Sequence, residues 1–346
     1  MSDLGELLPI ARKLCGGDAG PLVQVHGGGN NRVYRVQGGN GRAYALKTYY
    51  AGSGDGLRRL EAEYGGLQFL WNQGVRCVPE PVAIAASERC ALFAWVDGGR
   101  AVAAEDADIE SALLFLRTLH DLSRRPSARE LLSAREACLS VEELMQQLHL
   151  RRGRLMARAP FHGGLAEFLR TEFDPTLIQV SLDVQRAHEK ADIPLGRELP
   201  AEDCTLSPSD FGFHNAVRRP DGTLTFVDFE YFGWDDPVKL VADFLLHPGM
   251  ILSDSQRRRF AAGTHSVFGG EPSYAARLRQ LYPVYALRWA MIVLNEFLPD
   301  QWRRRAFAKG EQERNQILGL QLEKARRFVR IAREREFAYG TPSYAS

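Results

Sequence analysis

The sequence predicts a two-lobed α+β fold: a small β-rich N-lobe over residues 1–97 and a larger, mainly helical C-lobe over 98–346. Three observations predict it. The first hundred residues hold short strand-like runs separated by glycine turns. After "DGGR" at 97–100 the texture changes to long segments with apolar residues at helical spacing. Finally, 346 residues are too many for one simple core and comfortable for two.

Taken in order, "PLVQVH" runs into the glycine-rich "GGGNN", and "RVYRV" resumes as an alternating strand. "GGNGR" has the composition of a hairpin turn, and "AYALKTYY" is the strand after it. "LRRLEAEYGGLQFLWNQG" places apolar residues at 57, 60, 64, 67 and 70, a helical period, with Gly74 as its stop. "PEPVAI" and "CALFAWV" add two strands. Beyond 100, "DIESALLFLRTLHDLS", "SVEELMQQLHLRRGRLM" and "GGLAEFLRTEF" read as helices. The block 200–237 interrupts them with strand-like runs "NAVRR" and "LTFVDF" around the turn "PDG". Helices resume with "PVKLVADFLL", where Asp236 before Pro237 reads as an N-cap. "SYAARLRQLYPVYALRWAMIVLNEFL" and the stretch 312–337 follow.

Composition excludes several classes. Apolar residues make up 45% and charged residues 25%, and the net charge is +1, so no global field selects nucleic acid or a membrane surface. Cys15, Cys77, Cys90, Cys138 and Cys204 are odd in number, far apart and without a CxxC pair. That argues against a disulfide framework or a zinc site and for a reducing compartment. "MSDLGELLPIARKLCGG" is acidic where a signal peptide is basic. The most apolar long stretch is interrupted by Arg288, Asn295 and Glu296, short of the ~20 residues that span a bilayer. The expectation is a cytoplasmic protein with no nucleic-acid partner and no membrane span.

The chemistry-bearing residues begin with Asp210, Asn215 and Asp228 in "SDFGFHNAVRRPDGTLTFVDFE". A carboxylate at Asp210 suits proton acceptance from a hydroxyl. Asn215 and Asp228 offer hard oxygens, which suit magnesium with bound phosphates. Taken alone, the series reads equally well as a polar hairpin. Upstream, Lys47 shares a strand face with Ala45, and Glu63 follows sixteen residues later on the amphipathic helix. A strand lysine fixed by a helix glutamate is how kinases hold the α- and β-phosphates of ATP. Glu61 competes as partner, but Glu63 flanks the buried face. The glycines of "HGGGNN", with Gly28, Gly29 and Asn30 as candidate nucleotide contacts, let backbone N–H groups approach phosphate.

In this order, the glycine turn, the strand lysine, the helix glutamate, the hinge-like "FAWVDGG" and then D-x4-N and D-F-E resemble the aminoglycoside phosphotransferase and choline kinase-like family of small-molecule kinases. The resemblance runs from about residue 22 to 245. It implies a protein-kinase-like fold and an ATP- and magnesium-dependent transfer of phosphate to a hydroxyl of a small molecule, such as a sugar, an amino alcohol or an aminoglycoside-like acceptor. Asp210 then corresponds to the catalytic base, Asn215 and Asp228 to the magnesium ligands, Lys47 to the phosphate-holding lysine and Glu63 to its partner. The backbone of Ala94, Trp95 and Val96 corresponds to the adenine hinge.

One departure stands out. The family's His-Gly before the aspartate is replaced here by Pro208-Ser209. That replacement keeps a nucleotide-binding pseudokinase, acting as a regulatory or scaffold module, as the alternative. Candidate acceptor contacts are His214 beside Asn215, Glu230 two residues beyond Asp228, and Asn295 and Glu296, which are polar in an otherwise apolar helix. From 301 to 336 there are eleven Lys and Arg against five Asp and Glu, a balance that disfavours a polycationic acceptor.

Overall fold

A computed structural model of the chain describes residues 3–25, 31–50, 55–101, 103–271, 273–303 and 314–335. The chain divides into two units that interleave along the sequence. The first takes 1–103, 124–135 and 206–234, and the second takes 104–123, 136–205 and 235–346. The Asp210–Asp228 stretch therefore packs with the β-rich unit.

In the first unit, helix α1 (Asp3–Cys15) precedes strands β1 (Val23–Val25), β2 (Asn31–Gln37) and β3 (Ala43–Tyr49), helix α2 (Gly56–Asn72), and strands β4 (Pro81–Ala85) and β5 (Cys90–Ala94). The strands form one antiparallel sheet in the order β1-β2-β3-β5-β4. Alternation sorts its two faces. Tyr34, Val36, Tyr44, Leu46 and Leu92 point to one side and pack on Ala11 and Leu14 of α1. The intervening Lys47 and Tyr49 of β3 point to the other side, where they meet Glu63 of α2. Helix α1 is absent from the sequence expectation, because Pro9 and a short apolar run mask its period. The end of α2 follows expectation, with Gly74 at φ +84° just beyond it.

Short strands β6 (Gly99–Arg100), β7 (Thr205–Ser207), β8 (Ala216–Arg218), β9 (Leu224–Phe226) and β10 (Gly233–Asp235) follow. The expected polar hairpin is β8–β9, and β6 pairs with β8 on its outer side. That pairing needs Gly98, at φ +147°: a Cβ there would lie 2.2 Å from the Arg218 carbonyl oxygen.

The second unit is helical: α3 (Asp106–Ser123), α4 (Val141–Met156), α5 (Gly163–Phe168), α6 (Asp174–Ala191), α7 (Pro237–Leu246), α8 (Asp254–Phe268), α9 (Tyr274–Val293) and α10 (Arg314–Glu334). Helix α9 is apolar nearly all round from Leu281 to Met291 and forms the middle of the unit, with α7 and α10 packed on it. Charges inside this core are paired. Lys239 lies 2.7 Å from Asp235 and 3.3 Å from Asp243, and Arg288 lies 3.6 Å from Asp243. Asp236 caps α7 as expected, accepting from the Val238 N–H at 2.8 Å. Among the described residues no helix is long and apolar enough to cross a membrane.

Candidate active site

Strand β3 sets the first residue. Its register opposite Val33 and Ala91, in the middle of the sheet, makes Lys47 a buried residue rather than a solvated edge lysine. The Nζ atom stands 2.6 Å from Glu63 Oε2 and 2.5 Å from Asp228 Oδ1. Glu63 uses both oxygens: Oε2 also accepts from the Tyr49 hydroxyl at 2.6 Å, and Oε1 accepts from the Phe229 N–H at 3.3 Å. Glu61, the competing partner, is exposed. One lysine thus ties a sheet, a helix and the loop after β9.

Burial works against the Lys47 cation, but Asp228, Glu63 and Glu230 overcome it and raise the pKa, so the ammonium stays charged. Burial pushes Asp228 up to about 7. Lys47 pulls against that shift, while Glu230 and Glu63 add to it. Asp228 itself sits at φ +69°, a left-handed backbone that side chains rarely take, and 37% of its side chain remains accessible.

Glu230, expected at the acceptor, bonds Arg59 and Asn31. It is 4% exposed and lies 3.3 Å from Nη1 of Arg59, a residue one turn before Glu63 and itself 3% exposed. Arg59 also donates to Asn31 Oδ1 at 3.2 Å and to the Tyr50 carbonyl at 3.3 Å, and Asn31 donates to Glu230. This cluster braces β2, α2 and the Asp228 loop against one another.

The second half of the site is the loop after β7. The Asp210 N–H donates to the Pro208 carbonyl at 2.9 Å, closing a three-residue turn centred on Ser209 at φ +65°. Glycine takes that backbone without strain, whereas a serine costs about 1–3 kcal/mol. Ser209 adds two bonds of its own. Its N–H donates to Ser207 Oγ at 3.0 Å, and its hydroxyl donates to the Tyr231 carbonyl at 3.3 Å, hooking this loop to the one after Asp228. Asn215 donates from Nδ2 to the Asp210 main-chain oxygen at 2.9 Å and to Oδ2 at 3.2 Å. His214 Nε2 lies 3.1 Å from Asp210 Oδ1. The Asn215 carbonyl accepts from the Val227 N–H at 2.9 Å, next to Asp228.

The structure therefore gathers Glu63 and Asp228 around the Lys47 ammonium, sets Glu230 against Arg59 beside them, and brings His214 and Asn215 to the Asp210 carboxylate. At the hinge, the Ala94 N–H donates to the Glu80 carbonyl and the Trp95 N–H to that of Ala43. Among the described residues no acceptor takes the Val96 N–H. Gly28, Gly29 and Asn30 lie outside the described residues. Asn295 and Glu296 sit half-buried in a 3-10 turn, Leu294–Phe297, of the helical unit. Sequence reasoning missed Tyr49, Arg59 and Asn31. The signals were there: Tyr49 shares the face of Lys47 on β3, and Arg59 precedes Glu63 by four residues on one helix face.

The model of the phosphotransferase enzyme family matches residues 21–281. Among solved structures, a spectinomycin phosphotransferase in complex with ADP and spectinomycin aligns at TM-score 0.62 and 11% identity, covering 96% of this chain and 98% of that one. A choline kinase from Streptococcus pneumoniae aligns at TM-score 0.57 and 13% identity, covering 94% of this chain and 99% of that one. An ADP-bound aminoglycoside phosphotransferase aligns at TM-score 0.55 and 14% identity, covering 96% and 99%. No curated protein matches the sequence. With a family match over most of its length and a protein-kinase-like fold shared with these structures, the chain belongs to the phosphotransferase enzyme family and is a small-molecule phosphotransferase.

Proposed function

We propose that the chain moves the γ-phosphoryl group of ATP, with magnesium, to a hydroxyl of a small molecule, and that Asp210 accepts the hydroxyl proton. The observation that carries this reading is Lys47 held at 2.6 Å by Glu63 and 2.5 Å by Asp228 in the unit that also holds Asp210 and Asn215. A lysine fixed this way presents a permanent cation to phosphate oxygens. Val96 supplies a hinge N–H for the base. The ADP held by the spectinomycin and aminoglycoside phosphotransferases supports an adenine nucleotide here.

The donor set fits magnesium. Asn215 turns Nδ2 to Asp210, leaving its amide oxygen for a cation, and Asp228 offers the accessible part of a carboxylate. Magnesium held by these two would neutralise charge on the phosphates. In the transfer, the acceptor oxygen bonds to the γ-phosphorus, the bond to the ADP oxygen breaks, and the hydroxyl proton passes to Asp210. Because Glu230 is engaged by Arg59 and Asn31, it serves as a brace rather than an acceptor contact.

The test is ATP consumption across a panel of sugars, amino alcohols and aminoglycosides. Asp210→Asn is expected to lower kcat at least ~10²-fold with an unchanged melting temperature. Full activity in that variant removes Asp210 from the mechanism. Nucleotide binding without turnover on any acceptor replaces the kinase reading with a pseudokinase, and the Pro208-Ser209 departure is the observation favouring that outcome.

A further inference from the structure

We propose that His214 is a positioning residue for Asp210, donating from Nε2–H to Oδ1 and thereby reserving Oδ2 for the acceptor hydroxyl. The inference rests on the kinase reading above and assigns a role that the family motif leaves empty, since Pro208 and Ser209 stand where that motif has histidine and glycine.

The geometry is local and fixed. His214 sits in a 3-10 turn, Phe213–Asn215, four residues after Asp210, with its side chain 15% accessible. Phe211 just before the turn and Phe213 at its start are buried, and Phe211 packs against Phe226 of β9 at 5.0 Å between ring centroids. Two buried anchors therefore decide where the imidazole lies, independently of Asp210. From there Nε2 reaches Oδ1 at 3.1 Å, while Asn215 Nδ2 reaches Oδ2 at 3.2 Å. An ionised carboxylate only accepts, so Nε2 carries the proton of this bond.

Consecutive residues thus hold one oxygen each, and a carboxylate held at both oxygens does not rotate about its χ2. The two bonds are not equivalent. The Asn215 amide has a second and shorter bond, to the Asp210 main-chain oxygen at 2.9 Å, which keeps that side chain in place while the other lone pair of Oδ2 accepts from a substrate hydroxyl. His214 faces the other oxygen, Oδ1, and holds it while Oδ2 serves the acceptor. The carboxylate is 38% accessible, so without this bond it would sample several orientations against solvent. The structure locates the gain in orientation, a contribution that acts on the chemical step and not on nucleotide binding.

The experiment compares His214→Leu, which removes the donor, with His214→Gln, whose amide nitrogen restores one at similar reach, using the acceptor that the wild type phosphorylates. His214→Leu is expected to lower kcat about 10- to 100-fold with the KM for ATP unchanged within about twofold, and His214→Gln to recover most of that loss. In an Asp210→Asn background, His214→Leu is expected to cost nothing further. The proposal is overturned by wild-type kcat in His214→Leu, or by His214→Gln as slow as His214→Leu with a lowered melting temperature, which marks a packing role. Wild-type protein that turns over no ATP removes the kinase reading and this role with it. Turnover indifferent to His214 removes the positioning role alone.

Discussion

Lys47 holds a single positive charge against Glu63 and Asp228, while Glu230 next to them takes the charge of Arg59. Burial, which Lys47 only partly offsets, raises the Asp228 pKa to about 7, and Glu230 and Glu63, two further carboxylates beside the two cations, add to the shift. An acid whose folded pKa lies above its unfolded value weighs against folding where it is ionised. That cost is present in full above about 7 and relieved as the pH falls through 7 toward the ordinary carboxylate range. Solvent screens part of it, because 37% of the Asp228 side chain is accessible. Asp228→Asn is therefore expected to raise the melting temperature of the nucleotide-free protein at pH 8 by a few degrees. At pH 5 it should raise it less, as scanning calorimetry at both values will show. Equal gains at both pH values would place the effect outside this charge balance. The same substitution removes a magnesium ligand under the proposed mechanism, so stability and activity move in opposite directions here.

Helix α2 connects the charged cluster to packing. Gly66 faces Phe232 so closely that a Cβ would lie 2.4 Å from its ring, on the face that also presents Arg59, Glu63 and Leu70 to the rest of the unit. Phe232 follows Asp228 by four residues, so this contact sets the spacing between helix and loop. Gly66→Val is expected to cost about 1–3 kcal/mol in chemical denaturation and also to weaken ATP-induced thermal stabilisation, since a displaced helix moves Glu63 from Lys47. Loss of stability with full nucleotide response would confine Gly66 to packing. Much of this element was legible in advance. The 3.6-residue period gave α2 and its buried face, and the two-residue period gave the outlook of Lys47 on β3. Those regularities are local, and so were readable. The bonds of Glu230, read from the sequence as an acceptor contact, were not legible, because its partners Arg59 and Asn31 lie 171 and 199 residues away and no period links them. Ser209 showed as a departure from the family motif, but its left-handed turn and its bond to Tyr231 depend on backbone geometry that no residue type announces.

The chain passes between the two units five times, at 103/104, 123/124, 135/136, 205/206 and 234/235. Neither unit is a continuous piece of sequence. The first 103 residues hold the whole sheet with Lys47, Arg59 and Glu63, but not Asp228 or Glu230. Alone they would lose the Glu230 carboxylate beside Arg59 and the Asp228 carboxylate beside Lys47, and open to water the side of α2 that residues 206–234 cover. A fragment of residues 1–103 is accordingly expected to lack cooperative unfolding and to show no thermal response to ATP, and the full chain is expected to show both. A cooperative fragment would mean that the sheet and α1 suffice. The interleaving also has a consequence for synthesis. Asp228 is the 181st residue a ribosome adds after Lys47, a wait of roughly 10–40 s at ordinary elongation rates. Through that interval the nascent sheet waits with mismatched charges, so the protein is a candidate for chaperone binding during translation, with release timed to the emergence of the β8–β9 hairpin.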